Sequence, residues 1–288
     1  MVKEDRWVNS RGLSLHFESH LTYWKPKALL VFHHGYGEHV GRYRSAFADL
    51  AEAGVVVYAF DAHGQGRSDP SELRERALVQ DFQHLVEDCQ AFSTLVRWRH
   101  PPNLPAFIGG QSLGGLVALH VALADQSLWR GILLCSAAVD IEWTLLLRVQ
   151  ASVGGLLASL VPRSRIVPAV RPDDMSTDPE TVRGYKEDPL NIVGNVPAQT
   201  GFQILQGMRQ LQGREAAFHL PIYAHHGSHD KCTSLPAVKR FVEAASSRDK
   251  TLTILDGSFH ELVVGPERVQ TVPAMTSWIL ARCATSKL

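Results

Sequence analysis

The chain has 288 residues, 45% of them hydrophobic, and its 29 Lys+Arg balance 29 Asp+Glu. That length suits one large α/β domain with an insertion, or two modest domains, and the lack of a basic excess excludes the electrostatic footprint of nucleic-acid binding. Four scattered cysteines (Cys89, Cys135, Cys232, Cys283) show no C-x-x-C spacing, which fits a reducing compartment and speaks against a disulfide scaffold or a spaced zinc site.

The charged opening Met1-Val2-Lys3-Glu4-Asp5-Arg6 lacks an apolar core, so no signal peptide is expected. Residues 6–20 alternate around Asn9-Ser10-Arg11-Gly12, which predicts a β-hairpin. Residues 28–32 read as a buried strand that runs into the loop His33-His34-Gly35-Tyr36-Gly37-Glu38-His39. Helical spacing over 43–53 stops at Gly54, and a β-branched strand over 55–60 leads to the glycine-punctuated loop 61–68. A long amphipathic stretch, 78–99, precedes the run Phe107-Ile108-Gly109-Gly110-Gln111-Ser112-Leu113-Gly114-Gly115. Here a short apolar strand meets a serine set between Gly110 and Gly114, and a helix follows. That is the context of a G-x-S-x-G nucleophile elbow, whose tight turn leaves no room for side chains at the glycine positions. The serine would sit at a helix N-terminus, where free N–H groups and the helix dipole favour developing negative charge.

Further strands are predicted at 131–137, 221–226 and 251–255, with helices at 235–245 and 266–282. Uninterrupted apolar strands alternating with helices indicate the α/β class, with a mostly parallel central sheet and helices on both faces. The alternation breaks over 139–215, where the chain is helical, proline-punctuated and poor in strands; Asp178-Pro179-Glu180 offers an N-cap with proline at the first helical position. The expected organisation is therefore a core of residues 1–138 and 216–288 with a helical cap insertion of 139–215. The cap opens with nineteen residues, 143–161, that carry one charge, Arg148. Arg148, Gln150, two serines and Gly154-Gly155 argue against a membrane span. The stretch is read either as the lining of an apolar substrate tunnel or as a patch that touches lipid surfaces.

A serine hydroxyl needs a base, usually a histidine oriented by a carboxylate, and in this class the chain order is Ser, Asp or Glu, His. His260 follows the last strand and is the base candidate for Ser112. Asp230, just past the 221–226 strand, is the acid candidate; Asp256, beside Gly257, is the rival and looks like a turn residue. Two backbone donors must meet the tetrahedral oxygen, and these are assigned to the N–H groups of Leu113 and Tyr36. The doublets His33-His34 and His225-His226 are expected to point to opposite faces of their strands, and no ligand spacing such as H-E-x-x-H occurs, so no metal is expected.

With these pieces in place, the sequence resembles the monoacylglycerol lipase and lysophospholipase family of α/β-hydrolases over nearly its whole length. The resemblance rests on His34-Gly35-Tyr36-Gly37-Glu38-His39 continuing to Gly41-Arg42-Tyr43, on 61–68, on the elbow, on Tyr185 before Asp188-Pro189-Leu190, and on the Asp230 and His260 neighbourhoods. It implies an α/β-hydrolase fold and hydrolysis of a single-chain lipid ester, monoacylglycerol first, with Ser112, Asp230 and His260 as triad and no cofactor. It also implies glycerol contacts from Glu38, Arg42 and Tyr185, against the plainer reading of Glu38 and Arg42 as a loop-bracing pair. Gln111 stands where the animal lipases carry histidine, and Tyr36 where they carry a small residue; plant relatives such as caffeoylshikimate-type esterases share the tyrosine. The alternatives are a lysophospholipase, a peroxisomal acyl-thioesterase, a small-ester esterase, or a non-catalytic ligand receptor on the same fold. The chain finishes Ser286-Lys287-Leu288, the tripeptide read by the peroxisomal import receptor, so a peroxisomal location is expected, with the cytoplasm as the alternative.

Overall fold

The computed structural model describes residues 1–141, 154–168 and 171–283. Its strands are β1 (Val2–Val8), β2 (Ser14–His20), β3 (Ala28–His33), β4 (Val55–Phe60), β5 (Ala106–Gln111), β6 (Gly131–Cys135), β7 (Arg165–Val167), β8 (Val196–Pro197), β9 (Ile222–Gly227) and β10 (Lys250–Leu255). Eight of them form one sheet in the order β1-β2-β4-β3-β5-β6-β9-β10. The expected hairpin, β1 with β2, is antiparallel and joins β4 antiparallel; every other pair in the sheet is parallel. Each residue of β3, β4, β5, β6 and β9 is buried, because both faces of a parallel sheet are covered; β4 and β6 read as apolar runs, while β5 and β9 end in polar or glycine residues.

On one face, α1 (Arg44–Glu52) and α8 (Arg268–Ala281) pack Phe47, Met275 and Trp278 against Phe32, Leu133 and Tyr223. On the other, α2 (Phe82–Arg97), α3 (Leu113–Ala124) and α7 (Leu235–Ala244) cover Val31, Ile108 and Leu134. The amphipathic stretch from 78 turns helical only at Phe82, because Ala77 takes a left-handed φ of 54° and the Asp81 carboxylate caps the Gln83 N–H at 2.9 Å. Likewise β6 stops at Cys135, short of the expected 137, since Ser136 has φ 42°.

The insertion between β6 and β9 contains the helical residues 154–160 (α4), then β7, α5 (Pro179–Glu187), β8 and α6 (Ala198–Leu211). Asp178 caps α5 through the Thr181 N–H at 3.0 Å, with Pro179 in the first turn as expected. The cap is not purely helical: β7 and β8 pair antiparallel. These strands are too short, at three and two residues, to give a period-2 signal between the prolines. Of the apolar stretch 143–161, residues 143–153 lie outside the described residues. Within it, Leu156 and Leu160 are 62% and 69% exposed, so these side chains do not line an enclosed tunnel. Among the described residues no helix is long and apolar enough to cross a membrane. Residues 284–288, with the terminal tripeptide, are also outside the described set.

From β3 the chain steps first to β4 on one side and later to β5 on the other. The carboxyl ends of β3 and β5 therefore lie together at the switch point, His33 opposite Gly110, where open α/β sheets form their ligand crevice.

Candidate active site

Ser112 sits directly after β5 with φ 54° and ψ −119°, backbone angles that cost an ordinary residue about 1–3 kcal/mol. The surroundings impose them. Its N–H donates to the Cys135 carbonyl at 2.9 Å, and its own carbonyl accepts from Gly115 and Ala138, each at 3.0 Å. A Cβ on Gly110 would come within 2.3 Å of the Gly114 backbone, and one on Gly114 within 2.0 Å of the His33 carbonyl oxygen. Glycine is thus required for β3, β5 and α3 to meet at the turn.

Asp230 lies in the turn after β9, with its carboxylate fully used. Oδ1 accepts from the N–H groups of Cys232 at 2.7 Å and Thr233 at 3.0 Å. Oδ2 accepts from Thr233 Oγ1 at 2.8 Å and lies 2.8 Å from His260 Nδ1 and 3.2 Å from His226 Nε2. Burial disfavours the charge, but the His260 charge and the hydrogen bonds from His226 and His260 outweigh it and hold the carboxyl well below the usual range. For His260, burial works against protonation, yet Asp230, with help from Glu261 and Glu38, raises its pKa above the ordinary 6.5. Asp256 is exposed and bonded to Ser228 Oγ at 3.1 Å. Of the two carboxylates weighed from the sequence, Asp230 is the one that meets His260.

Gln111, directly before Ser112, donates from Nε2 to the His260 carbonyl at 3.1 Å, and Ser136 Oγ donates to the same oxygen at 2.9 Å. The backbone of His260 is thereby tied to the ends of β5 and β6. Neither role could be read from the sequence.

The loop after β3 brings Gly35 against the elbow: a Cβ there would lie 3.3 Å from Ser112 Cβ. The loop is held from several sides. Gly35 N–H donates to Glu38 Oε1 at 2.7 Å, Gly37 N–H to Gln65 Oε1 at 2.6 Å, and Val40 N–H to Asp61 Oδ1 at 2.8 Å. His34 accepts the Ala62 N–H at Nε2, 2.9 Å, so its proton is on Nδ1, which donates to the Gly35 carbonyl at 2.6 Å. Burial keeps His34 neutral, and pushes the His33 and His225 pKa values down to about 3. The His33 and His34 rings are 5.4 Å apart rather than on opposite faces, because His34 lies past the end of β3. The Tyr36 hydroxyl donates to the Ala77 carbonyl at 3.1 Å. The N–H groups of Leu113 and Tyr36 have no acceptor among the described residues, and Leu113, first in α3, has none to expect within its helix.

Glu38 and Arg42 bond to each other. Glu38 also accepts from the Tyr43 hydroxyl at 2.5 Å, and Arg42 makes a bidentate pair with Glu261 at 2.5 and 2.7 Å. The Arg42 guanidinium stacks over the Tyr185 ring at 4.7 Å, and the Tyr185 hydroxyl lies 3.4 Å from the Gly37 carbonyl. Loop bracing accounts for every contact of Glu38.

Asp230, Cys232 and His260 have donor atoms within 4.8 Å of one another. Burial pushes the Cys232 thiol up, and the Asp230–His260 pair shares a proton, so the set suits proton transfer rather than a cation. A cavity of 610 Å³ lined by Leu29, Trp98, Leu104 and Trp129 lies at the opposite end of β3, away from this chemistry.

Residues 24–267 match the family described as Serine aminopeptidase, S33. The chain belongs to that family. It is 30% identical to a monoacylglycerol lipase of Mycolicibacterium smegmatis, with 89% of each chain covered. It is 29% identical to the monoglyceride lipase of Mus musculus, over 92% of this chain and 87% of that one. A caffeoylshikimate esterase of Arabidopsis thaliana is 28% identical over 83% of this chain and 72% of its own. The fold also matches the crystal structure of Paleococcus ferrophilus monoacylglycerol lipase, with a TM-score of 0.80 at 23% identity, covering 93% of this chain and 99% of that one. By this kinship the chain is a monoacylglycerol lipase-like α/β-hydrolase and a carboxylic ester hydrolase.

Proposed function

We propose that the chain is a serine hydrolase that cleaves monoacylglycerol to glycerol and fatty acid through an acyl-enzyme on Ser112. The observation that carries this reading is the Asp230–His260 pair at 2.8 Å, its His260 carbonyl held by Gln111 directly before a serine at strained angles, with the N–H groups of Leu113 and Tyr36 lacking an acceptor among the described residues. Ser112 Oγ attacks the ester carbonyl while His260 Nε2 takes its proton, and Asp230 stabilises the imidazolium. The N–H groups of Leu113 and Tyr36 receive the oxyanion. Collapse expels glycerol, protonated by His260; water activated by the same histidine then releases the fatty acid. Tyr185 is the residue of the implied glycerol set left freest to meet a head group, since its hydroxyl is only loosely held while Glu38 and Arg42 are engaged. The exposed Leu156 and Leu160, near Arg163 and Arg165, support contact of the cap with a lipid surface during substrate capture.

A second reading, a small phenolic-ester esterase, is favoured by Tyr36 and by the kinship to the Arabidopsis thaliana enzyme. Rates on monoacylglycerols, lysophospholipids, acyl-CoAs and phenolic esters decide between them. Ser112 should label stoichiometrically with a fluorophosphonate, and Ser112→Ala should abolish labelling and lower hydrolysis by several orders of magnitude. Near-normal turnover by Ser112→Ala would refute the mechanism, and preference for phenolic esters would move the substrate.

A further inference from the structure

Glu261 directly follows His260 and is 4% exposed, and it faces a guanidinium already paired with a second buried carboxylate, Glu38, 3% exposed. Two carboxylates share one arginine in a largely buried cluster; burial raises the Glu261 carboxyl above its ordinary range while the Arg42 charge opposes that, and with both carboxylates ionised the cluster carries a formal charge of −1. Its members come from different places. Glu38 and Arg42 belong to the loop after β3, and Glu38 fixes the Gly35 N–H, one peptide before the Tyr36 N–H. Glu261 belongs to the turn after β10, where its N–H and that of His260 both donate to the Met175 carbonyl of the cap, at 2.7 and 3.0 Å. The bidentate Arg42–Glu261 contact is therefore a direct polar link between the loop with the proposed oxyanion donor and the turn with the proposed base.

We infer that Glu261 is a positioning residue: gripped by Arg42, it locks the turn bearing His260 to the loop bearing the Tyr36 N–H, so that base and oxyanion donor keep one mutual geometry. This rests on the serine hydrolase reading above. A planar, forked guanidinium against a carboxylate fixes direction as well as distance, which a lysine would not do. The cluster also acts through its charge. His260 is faced by Asp230 and Cys232 from the turn after β9, by Glu261 on its own turn and by Glu38 from the loop after β3. His226 on β9 reaches it through Asp230, and on the cap side Asp174 is paired with Lys231. Removing the Glu261 charge leaves Asp230 to favour the imidazolium with less help.

Three variants test this: Glu261→Gln, which keeps the shape and drops the charge; Glu261→Asp, which draws the carboxylate back; and Arg42→Lys, which keeps the charge and loses the fork. Each should lower kcat on the order of 10- to 100-fold, on a monoacylglycerol and on p-nitrophenyl acetate alike, with KM little changed. Glu261→Gln should in addition move the acid limb of the kcat/KM profile to lower pH. Active sites are counted by fluorophosphonate titration, so a loss of folded protein is not mistaken for a loss of rate, and if Glu261→Gln does not fold the other two carry the comparison. Unchanged kcat per titrated site and an unmoved acid limb would overturn the inference. So would a loss confined to glycerol esters, which would make Arg42 a head-group contact. If Ser112→Ala keeps its turnover, the underlying reading fails instead, which separates the two failures.

Discussion

Replacing Asp230 with asparagine tests the site with the least disturbance of shape. The structure dictates which way the amide must turn. Oδ1 accepts two backbone N–H groups, from Cys232 and Thr233, so that position must remain oxygen. The amide nitrogen then takes the place of Oδ2, 2.8 Å from His260 Nδ1. An N–H aimed at Nδ1 forces the histidine proton onto Nε2, the nitrogen that accepts the serine proton in the proposed mechanism. The base is present but in the wrong tautomer, for which a loss of about 10⁴ in kcat/KM is the expected scale, or about 5.5 kcal/mol of barrier. The fold should survive at neutral pH, since the turn keeps its backbone acceptor. Stability should, however, become less sensitive to acid. Asp230 has a depressed folded pKa, so it contributes stability above the unfolded carboxylate value that is lost as pH falls toward the folded one. Asp256→Asn, at an exposed carboxylate, is the control and should be mild. The assay is hydrolysis of p-nitrophenyl butyrate by both variants beside melting curves at about pH 7 and at a pH below the unfolded carboxylate value of 3.8. An Asp230→Asn enzyme within tenfold of the parent, or an Asp256→Asn enzyme equally impaired, would refute the reasoning.

Gly114→Ala should destabilise the fold and silence the serine together, because its Cβ would lie 2.0 Å from the His33 carbonyl, a backbone atom that cannot swing away. A loss at or above the 1–3 kcal/mol typical of overpacking, roughly, is expected in a denaturant melt; an unchanged midpoint would contradict the close approach. The acid limb of kcat/KM should lie above pH 6.5, because the raised His260 pKa keeps the base protonated further up the scale. The same shift contributes stability that is complete below the unfolded histidine pKa and lost as pH rises through the folded one. A limb below 6.5 would contradict the charge environment described here.

The sheet was legible because its strands announce themselves. In β3 and β4, covered on both faces, the sequence is an almost unbroken apolar run, and Gly54 marks where α1 gives way to β4. The errors fall where a local backbone choice overrides the hydrophobic pattern. At Ala77 and Ser136, residues with no sequence mark of a positive φ take one and shift the start of α2 and the end of β6. The strands β7 and β8 escaped notice for a different reason. They are held by pairing across the cap rather than by an alternating face of their own.

The site divides along the same physical line. The elbow is legible because steric exclusion leaves a residue type behind: where β3, β5 and α3 converge, only glycine fits, and the chain carries glycine there. Glu38 and Arg42 are legible as a pair because they lie four residues apart. Glu261 is not, since it reaches Arg42 across a sequence separation of 219, and nothing in its neighbours distinguishes it from a solvated glutamate. Gln111 carries a similar lesson. Its side chain bonds to a carbonyl 149 residues away, so its departure from the animal pattern reads in sequence as a change of substrate, whereas in the fold it holds the backbone of His260, the proposed base. Residue type reveals what the backbone cannot tolerate; it is silent about which distant group a long polar side chain will meet. That is why the positioning of His260, rather than its presence, is where substitutions at Gln111, Ser136 and Glu261 should act, although a hydroxyl, an amide and a carboxylate share no motif.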